Sequence, residues 1–481
     1  MSQARRVARN TSLLTISQII GYGESFIYVI LIARYLGPQS LGILNFGAAL
    51  IAVFNVLANF GLTTIIVREV ARDPSKASKY AANVIPIQLL FALLTIGLIV
   101  VFVNALGYSQ QTVYVVYILA IGLIFSTLSA LLLAIFQGFQ QLEFQATVLV
   151  ITSVVQLCGA VIAIQLHLNV VAFALLSLLM AGIGLAYVYA VCVRRFFVPR
   201  LEADFTFWKS TLTEAWPMAA MGISMMIYFR IDAVMISVIQ GTTAVGFYSI
   251  AYTLSEASIV VPSMFILSLL PMLSHLHQNS VASFRDICAR SVKYMLYLAL
   301  PMAFFVTLWA RPIVPLLFGA AYDPSVLALQ ILIWAAAIMY VTMILGTAFV
   351  AADMQRLYMK LMFVAVALNV GLNVLLIPKY SYIGASFATV ATETPVLALG
   401  LFFLGRHGYD LRFRRTSLPA FFGLSVIVAI SAVMLLKNVP LALITIIDLA
   451  VYAAILYELA INEQDKQLIL SLLKLLKTGR G

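Results

Sequence analysis

Six ionisable side chains interrupt apolar runs long enough to cross a bilayer: Glu24, Arg230, Asp232, Glu256, Glu393 and Asp448. A charge at the bilayer centre costs about 2.5–3.5 kcal/mol even on insertion scales, so each needs a counter-charge, a hydrogen-bonding partner or water. Carboxylates in such places bind and release protons or cations, which makes Glu24, Asp232, Glu256 and Glu393 candidates for ion coupling. Their neighbours are patterned. Ser17, Gln18, Gly21, Glu24, Ser25 and Tyr28 share about a third of one helical wheel, and Ser249, Tyr252, Thr253, Glu256 and Ser263 recur at helical spacing. Two readings fit these stripes, polar contacts between helices and the wall of a hydrated cavity. A carboxylate in each stripe favours the cavity.

Arg230 and Asp232 lie two positions apart, about 200° around a helix, so they serve different faces. Ser224, Tyr228 and Asp232 form a stripe that turns Asp232 towards the cavity, while Arg230 sits at a depth similar to that of Glu256, which makes an ion pair its simplest account. Glu393 stands two residues before Pro395, whose missing amide frees a carbonyl and favours a bend. Arg34, Arg68, Arg72 and Arg311 lie near span ends. A guanidinium there either anchors the helix at the interface or receives a phosphate bidentately. On the second reading these four, with Arg230 and the stripe tyrosines Tyr28 and Tyr228, are the candidate substrate contacts.

The elements that position these groups follow from composition. Of 481 residues, 63% are hydrophobic and 10% charged, with mean hydropathy +1.06, which specifies an all-α integral membrane protein. Hydropathy gives about 14 transmembrane helices, starting near Thr11, Leu41, Ala81, Val113, Ala146, Val170, Ala215, Val245, Met295, Ser325, Leu361, Ile383, Ser417 and Leu441. One alternate set of links, with both tails, holds 24 of the 29 basic residues, which places both termini in the cytoplasm of a multi-pass protein. The net charge of +11 is spread over these flanks, so it speaks for membrane lipids as partners and against nucleic acid.

The segment RYLGPQSLGILNFGAAL (Arg34 to Leu50) aligns without a gap on VIQGTTAVGFYSIAYTL (Val238 to Leu254), matching Gly37 with Gly241, Gly42 with Gly246 and Leu50 with Leu254. Both form the outer turn of a hairpin, so the chain reads as two parallel six-helix repeats with two helices appended. The resulting division is residues 1–200, residues 201–416, two further helices in 417–461 and a cytoplasmic amphipathic tail in 462–481. Cys158, Cys192 and Cys288 lack metal-ligand spacing, and His167, His275, His277 and His407 form no catalytic or metal cluster, so no metal site or cofactor is expected.

GYGESFIYVILIARYLGPQSLG, NFGLTTIIVREVARD, RIDAVMISVIQGTTAVGFYSIAYTLSEA and LFGAAYDPSVLALQIL, in that order and spacing, resemble the polysaccharide flippases of the multidrug, oligosaccharidyl-lipid and polysaccharide exporter superfamily. The resemblance covers nearly the whole chain. It implies two lobes around a central cavity, alternating access, and transfer of an undecaprenyl-diphosphate-linked oligosaccharide to the outer leaflet of the cell membrane, driven by a proton or sodium gradient. It implies further that a polysaccharide polymerase and chain-length proteins are partners. The buried set here is mainly acidic, whereas such flippases often have cationic cavities. Two rivals are a cation-coupled drug or metabolite antiporter of the same superfamily and a membrane glycan polymerase or ligase. The short outer links speak against the enzyme.

Overall fold

The computed structural model describes residues 3–411 and 413–459. These form α1 (Gln3–Asn59), α2 (Leu62–Arg72), α3 (Ala77–Ala105), α4 (Gln110–Gly138), α5 (Glu143–Gln165), α6 (Val170–Arg195), α7 (Phe205–Gln240), α8 (Thr242–Ser258), α9 (Val260–Asn279), α10 (Val281–Phe318), α11 (Ser325–Ala351), α12 (Gln355–Arg406), α13 (Phe413–Leu436) and α14 (Leu441–Leu459). The expected amphipathic tail, residues 462–481, lies outside the described residues.

Among the described residues, 12 helical stretches are long and apolar enough to cross a membrane. The two longest are each broken once, α1 at Gly37 (φ 72°, ψ 175°) and α12 at Ser381 (φ 54°, ψ −140°). Each break turns one helix into two crossings, which restores the fourteen expected from hydropathy. Polar side chains start several of the helices, because the first amides of a helix have no partner within it. Asn169 accepts from the Val171 amide at 3.0 Å, and Asp204 from Thr206 and Phe207 at 3.0 and 3.1 Å.

One helix is absent from the hydropathy reading. The stretch after the second span, expected as a link carrying Arg68 and Arg72, folds as α2. Leu62, Ile65, Ile66 and Val70 recur at helical spacing and are buried with Leu131 and Ile135 of α4. The helix has 11 residues, about 16 Å, which is too short to span.

The chain divides into two compact units, one of Met1–Thr253, Val314–Ala328 and Met362–Ala388, the other of Leu254–Ile313, Leu329–Leu361 and Thr389–Gly481. In the first, α4 packs along α6, while α1 touches α3, α4, α5 and α7. Leu90, Leu94, Leu98 and Val101 of α3 stay exposed as an apolar stripe, which suits a surface solvated by lipid tails. In the second, Phe284, Cys288, Val292, Ile333, Tyr340 and Phe349 belong to one buried cluster, and α13 packs on α14.

Candidate functional site: buried carboxylates beside a glycine crossing

Within the first unit the two aligned stretches meet each other. Gly37 and Gly241 both take left-handed backbone, φ 72° and 87°, a conformation that a side chain opposes. Each ends one crossing and starts the next. Four to five residues on, the helices touch backbone to backbone. A Cβ built on Gly42 would collide with the Thr242 carbonyl oxygen and lie 2.9 Å from the Gly246 nitrogen; one built on Gly246 would collide with the Pro38 carbonyl. The contact is reciprocal, because Pro38 is the counterpart of Thr242 and Gly42 that of Gly246 in the repeat. Small residues permit such close approach where no hydrophobic force drives helices together.

Deeper along the same helices lies Asp232, 4% exposed. Its carboxylate accepts from the Tyr248 hydroxyl at 2.8 Å and from Asn373 Nδ2 at 2.6 Å. Asn373 Nδ2 also donates to Asn369 Oδ1 at 3.0 Å. Tyr248, Asn369 and Asn373 are all buried, and the Asn373 Oδ1 atom has no hydrogen-bond partner. A carboxylate with two amide side chains supplies oxygen donors of the kind hard cations take, and the carboxylate can take a proton instead. Asp232 was expected to look into a cavity; it is enclosed by polar partners from α8 and α12.

A second buried acid stands on α1. Glu24 faces Ser153 and Tyr28 faces Gln156, both on α5. Glu24 and Tyr28 are buried, and the Glu24 Oε1 atom has no hydrogen-bond partner. Arg230 points elsewhere than Asp232, as their spacing requires. Its guanidinium carbon lies 5.4 Å from the centroid of the Tyr252 ring, a cation–π contact, and the Tyr252 hydroxyl donates to the Phe229 carbonyl at 3.2 Å. Tyr228 is half-buried and packs edge-on against Phe229.

The second unit holds the remaining acids. Glu393, 2% exposed, accepts from the Thr342 hydroxyl at 3.2 Å. Asp448 is fully buried and accepts from the Ser431 hydroxyl, while its Oδ1 atom and the hydroxyl of Tyr452, one turn on, have no hydrogen-bond partner. Glu256 is exposed on α8.

The span-end arginines differ in their partners. Arg34 donates through Nε to the Leu317 carbonyl at 2.7 Å and through its other arm to Leu316, capping the end of α10. Arg68 bonds Glu69 at 3.0 Å and pairs with Glu214; Arg72 reaches the same Glu69 oxygen at 3.1 Å. The Glu214 carboxylate first, then Glu69, hold the Arg68 guanidinium above its usual range against the opposing effect of burial. Arg311 is exposed and makes no hydrogen bond or ion pair among the described residues. No group of three or more His, Cys, Asp and Glu suited to a metal occurs among the described residues.

Asn369 and Asn373 were missed from sequence, although two asparagines one turn apart in an apolar span are costly to bury unless hydrogen-bonded. The comparisons with known proteins agree with this architecture. The structure resembles that of the lipid II flippase MurJ in an inward closed conformation, with TM-score 0.74 and 15% identity over 93% of this chain and 99% of that one. It resembles an inward-facing multidrug resistance transporter of the MATE family, MOP superfamily, with TM-score 0.68 and 16% identity over 84% and 99%. The sequence is 22% identical over 387 residues to a probable low-salt glycan biosynthesis flippase, Agl15, of Haloferax volcanii, covering 80% of each chain. A family model described as polysaccharide biosynthesis protein matches residues 7–277. On that match, which spans more than half of the chain, the resemblance of the four sequence segments is borne out: the chain belongs to the polysaccharide biosynthesis protein family.

Proposed function

We propose that this chain is a flippase that carries an undecaprenyl-diphosphate-linked oligosaccharide from the cytoplasmic to the outer leaflet by alternating access, coupled to a proton or sodium gradient. Family membership and a relative described as a glycan flippase support the class of cargo. The observation that carries the coupled mechanism is Asp232, a membrane-embedded carboxylate held by Tyr248 and Asn373. Loading such a group with a proton or cation removes its charge, so occupancy changes the cost of burying it and can bias one conformation over another. The two repeats, residues 1–200 and 201–416, act as the moving lobes in this reading, with both termini cytoplasmic. Substrate contacts are proposed for Arg68 and Arg72 at the cytoplasmic mouth, Arg34 and Arg311 at the outer one, and Arg230, Tyr28 and Tyr228 between. Glu24, Glu256 and Glu393 join Asp232 as coupling groups. A polysaccharide polymerase and chain-length proteins are the partners that would consume the product.

The test is translocation of a lipid-linked oligosaccharide in proteoliposomes under an imposed sodium or proton gradient, read by access of an external lectin to the glycan. Gradient-dependent appearance of the glycan that disappears in Asp232→Asn supports the reading; equal rates in both proteins refute the coupling. A second reading, a cation-coupled drug antiporter, is favoured by the acidic character of the buried groups. Drug efflux without glycan translocation would select it.

A further inference from the structure

The first unit contains an apolar cavity of about 530 Å³ between α3, α4 and α6. Phe125 and Leu128 of α4, Gly182 and Tyr189 of α6, and Pro199 and Leu201 of the following link line it, and the Tyr189 hydroxyl is the sole polar group on a lining side chain. No residue of α1, α2 or α7 contributes, so it is separate from the Asp232 and Glu24 sites. The three helices are each long and apolar enough to cross the membrane. The volume falls within the roughly 300–1,000 Å³ of ligand sites. Space lies free beside Gly182, where a Cβ would meet only the Phe125 ring, at 3.9 Å.

The mouth is cationic. Arg200 stands between the two lining residues Pro199 and Leu201, and Arg194 and Arg195 end α6 about 8–9 Å beyond Tyr189. All three arginines are exposed, and Leu201 remains 69% exposed beside them. The nearby Glu202 is tied back, its amide to the Ala82 carbonyl at 3.0 Å and its carboxylate to Asn83 at 3.5 Å. An apolar slot between membrane helices, with the exposed Arg200 set between two of its lining residues, matches a molecule with an acyl chain and a phosphate head.

We propose that this cavity binds an anionic glycerophospholipid, one acyl chain in the slot and the phosphate at Arg200. The site goes beyond the transport reading and does not depend on it.

Native mass spectrometry of the purified full-length protein with phosphatidylglycerol or phosphatidylcholine tests it. The expected result is preferential retention of phosphatidylglycerol, lost in Ala186→Trp, which fills the slot from an exposed position, and lowered about fivefold in Arg200→Gln. Phosphatidylglycerol should also raise the melting temperature of the wild type and leave that of Ala186→Trp unchanged. If Ala186→Trp fails to fold, the exposed Arg200→Gln and Gly182→Leu carry the same comparison. Equal retention of the two lipids, or retention unchanged in these variants, overturns the proposal. So does displacement by inorganic phosphate alone, which would mark a surface anion site, or a dimer broken by Ala186→Trp, which would make the slot a contact between two copies of the chain.

Discussion

Asn45 donates a hydrogen bond to Ser249 at 2.9 Å across a separation of 204 residues, which is the offset of the internal repeat. Each half therefore reads its own counterpart. If the glycine crossing beside this bond is the closed outer gate, Asn45→Cys with Ser249→Cys should form a disulfide that stops transport until reduced. Gly42→Ala should be harmful even though the side chain added is a single methyl, because the obstacle is backbone that cannot rotate away. A loss of about 1–3 kcal/mol is expected, read as a lower melting temperature or as greater labelling of Ser249→Cys from outside. Unchanged stability and labelling would remove the crossing from the gate.

Asp232 and Arg230, both on α7, should fail differently. Asp232→Asn keeps the shape of the side chain, and the variant should remain in the membrane at normal abundance while losing gradient-driven transport. Tyr248→Phe and Asn373→Leu should weaken the ion dependence without abolishing it, since each removes a hydrogen-bond donor to the carboxylate. Abundance by immunoblot, set against complementation of a flippase-null strain, separates the outcomes.

Arg230→Ala should lower abundance. If Arg230 pairs with Glu256 as its depth suggests, Arg230→Ala with Glu256→Ala should recover abundance. Failure of the double variant, with recovery in Arg230→Lys, would instead identify the Tyr252 ring as the group that matters.

At Arg68 the test is geometric. Arg68→Lys retains charge but not the planar fork, and transport should fall roughly tenfold or more if a diphosphate is received there. Glu214→Gln should not reproduce that loss, since it frees the guanidinium from a competing carboxylate. Equal losses in both would make the ion pair structural.

Reporter fusions after Lys79, Arg200 and Arg415 should read cytoplasmic, and those near Thr242 and Asn438 external. A reversed signal at Thr242 would break the parallel orientation of the two first hairpins.

Fourteen crossings were legible because an apolar run of about 20 residues has one stable solution in a bilayer. The Gly37 and Gly241 match was legible too, since a left-handed turn restricts residue type. α2 was not, because its four buried apolar residues are diluted by Arg68, Glu69 and Arg72, and a hydropathy window averages over both faces. The partners of Asp232 were not legible either. Asn373 lies 141 residues away, and no local pattern announces a pairing over such a distance. Arg34 shows the same limit from the other side: its type suited phosphate, yet the structure sets it on main-chain carbonyls 283 and 282 residues on.

The reciprocal glycine crossing also binds the inheritance of the two halves together. A substitution that thickens position 42 meets main chain at Thr242, and one that thickens position 246 meets main chain at Pro38, so neither change can be accommodated by choosing a smaller side chain opposite. Tolerance of a bulkier residue would require the partner helix to shift as a whole. After a duplication, most of a repeated chain is free to diverge copy by copy; these two positions are not, and chimaeras joining halves from different relatives should succeed or fail according to what occupies this pair.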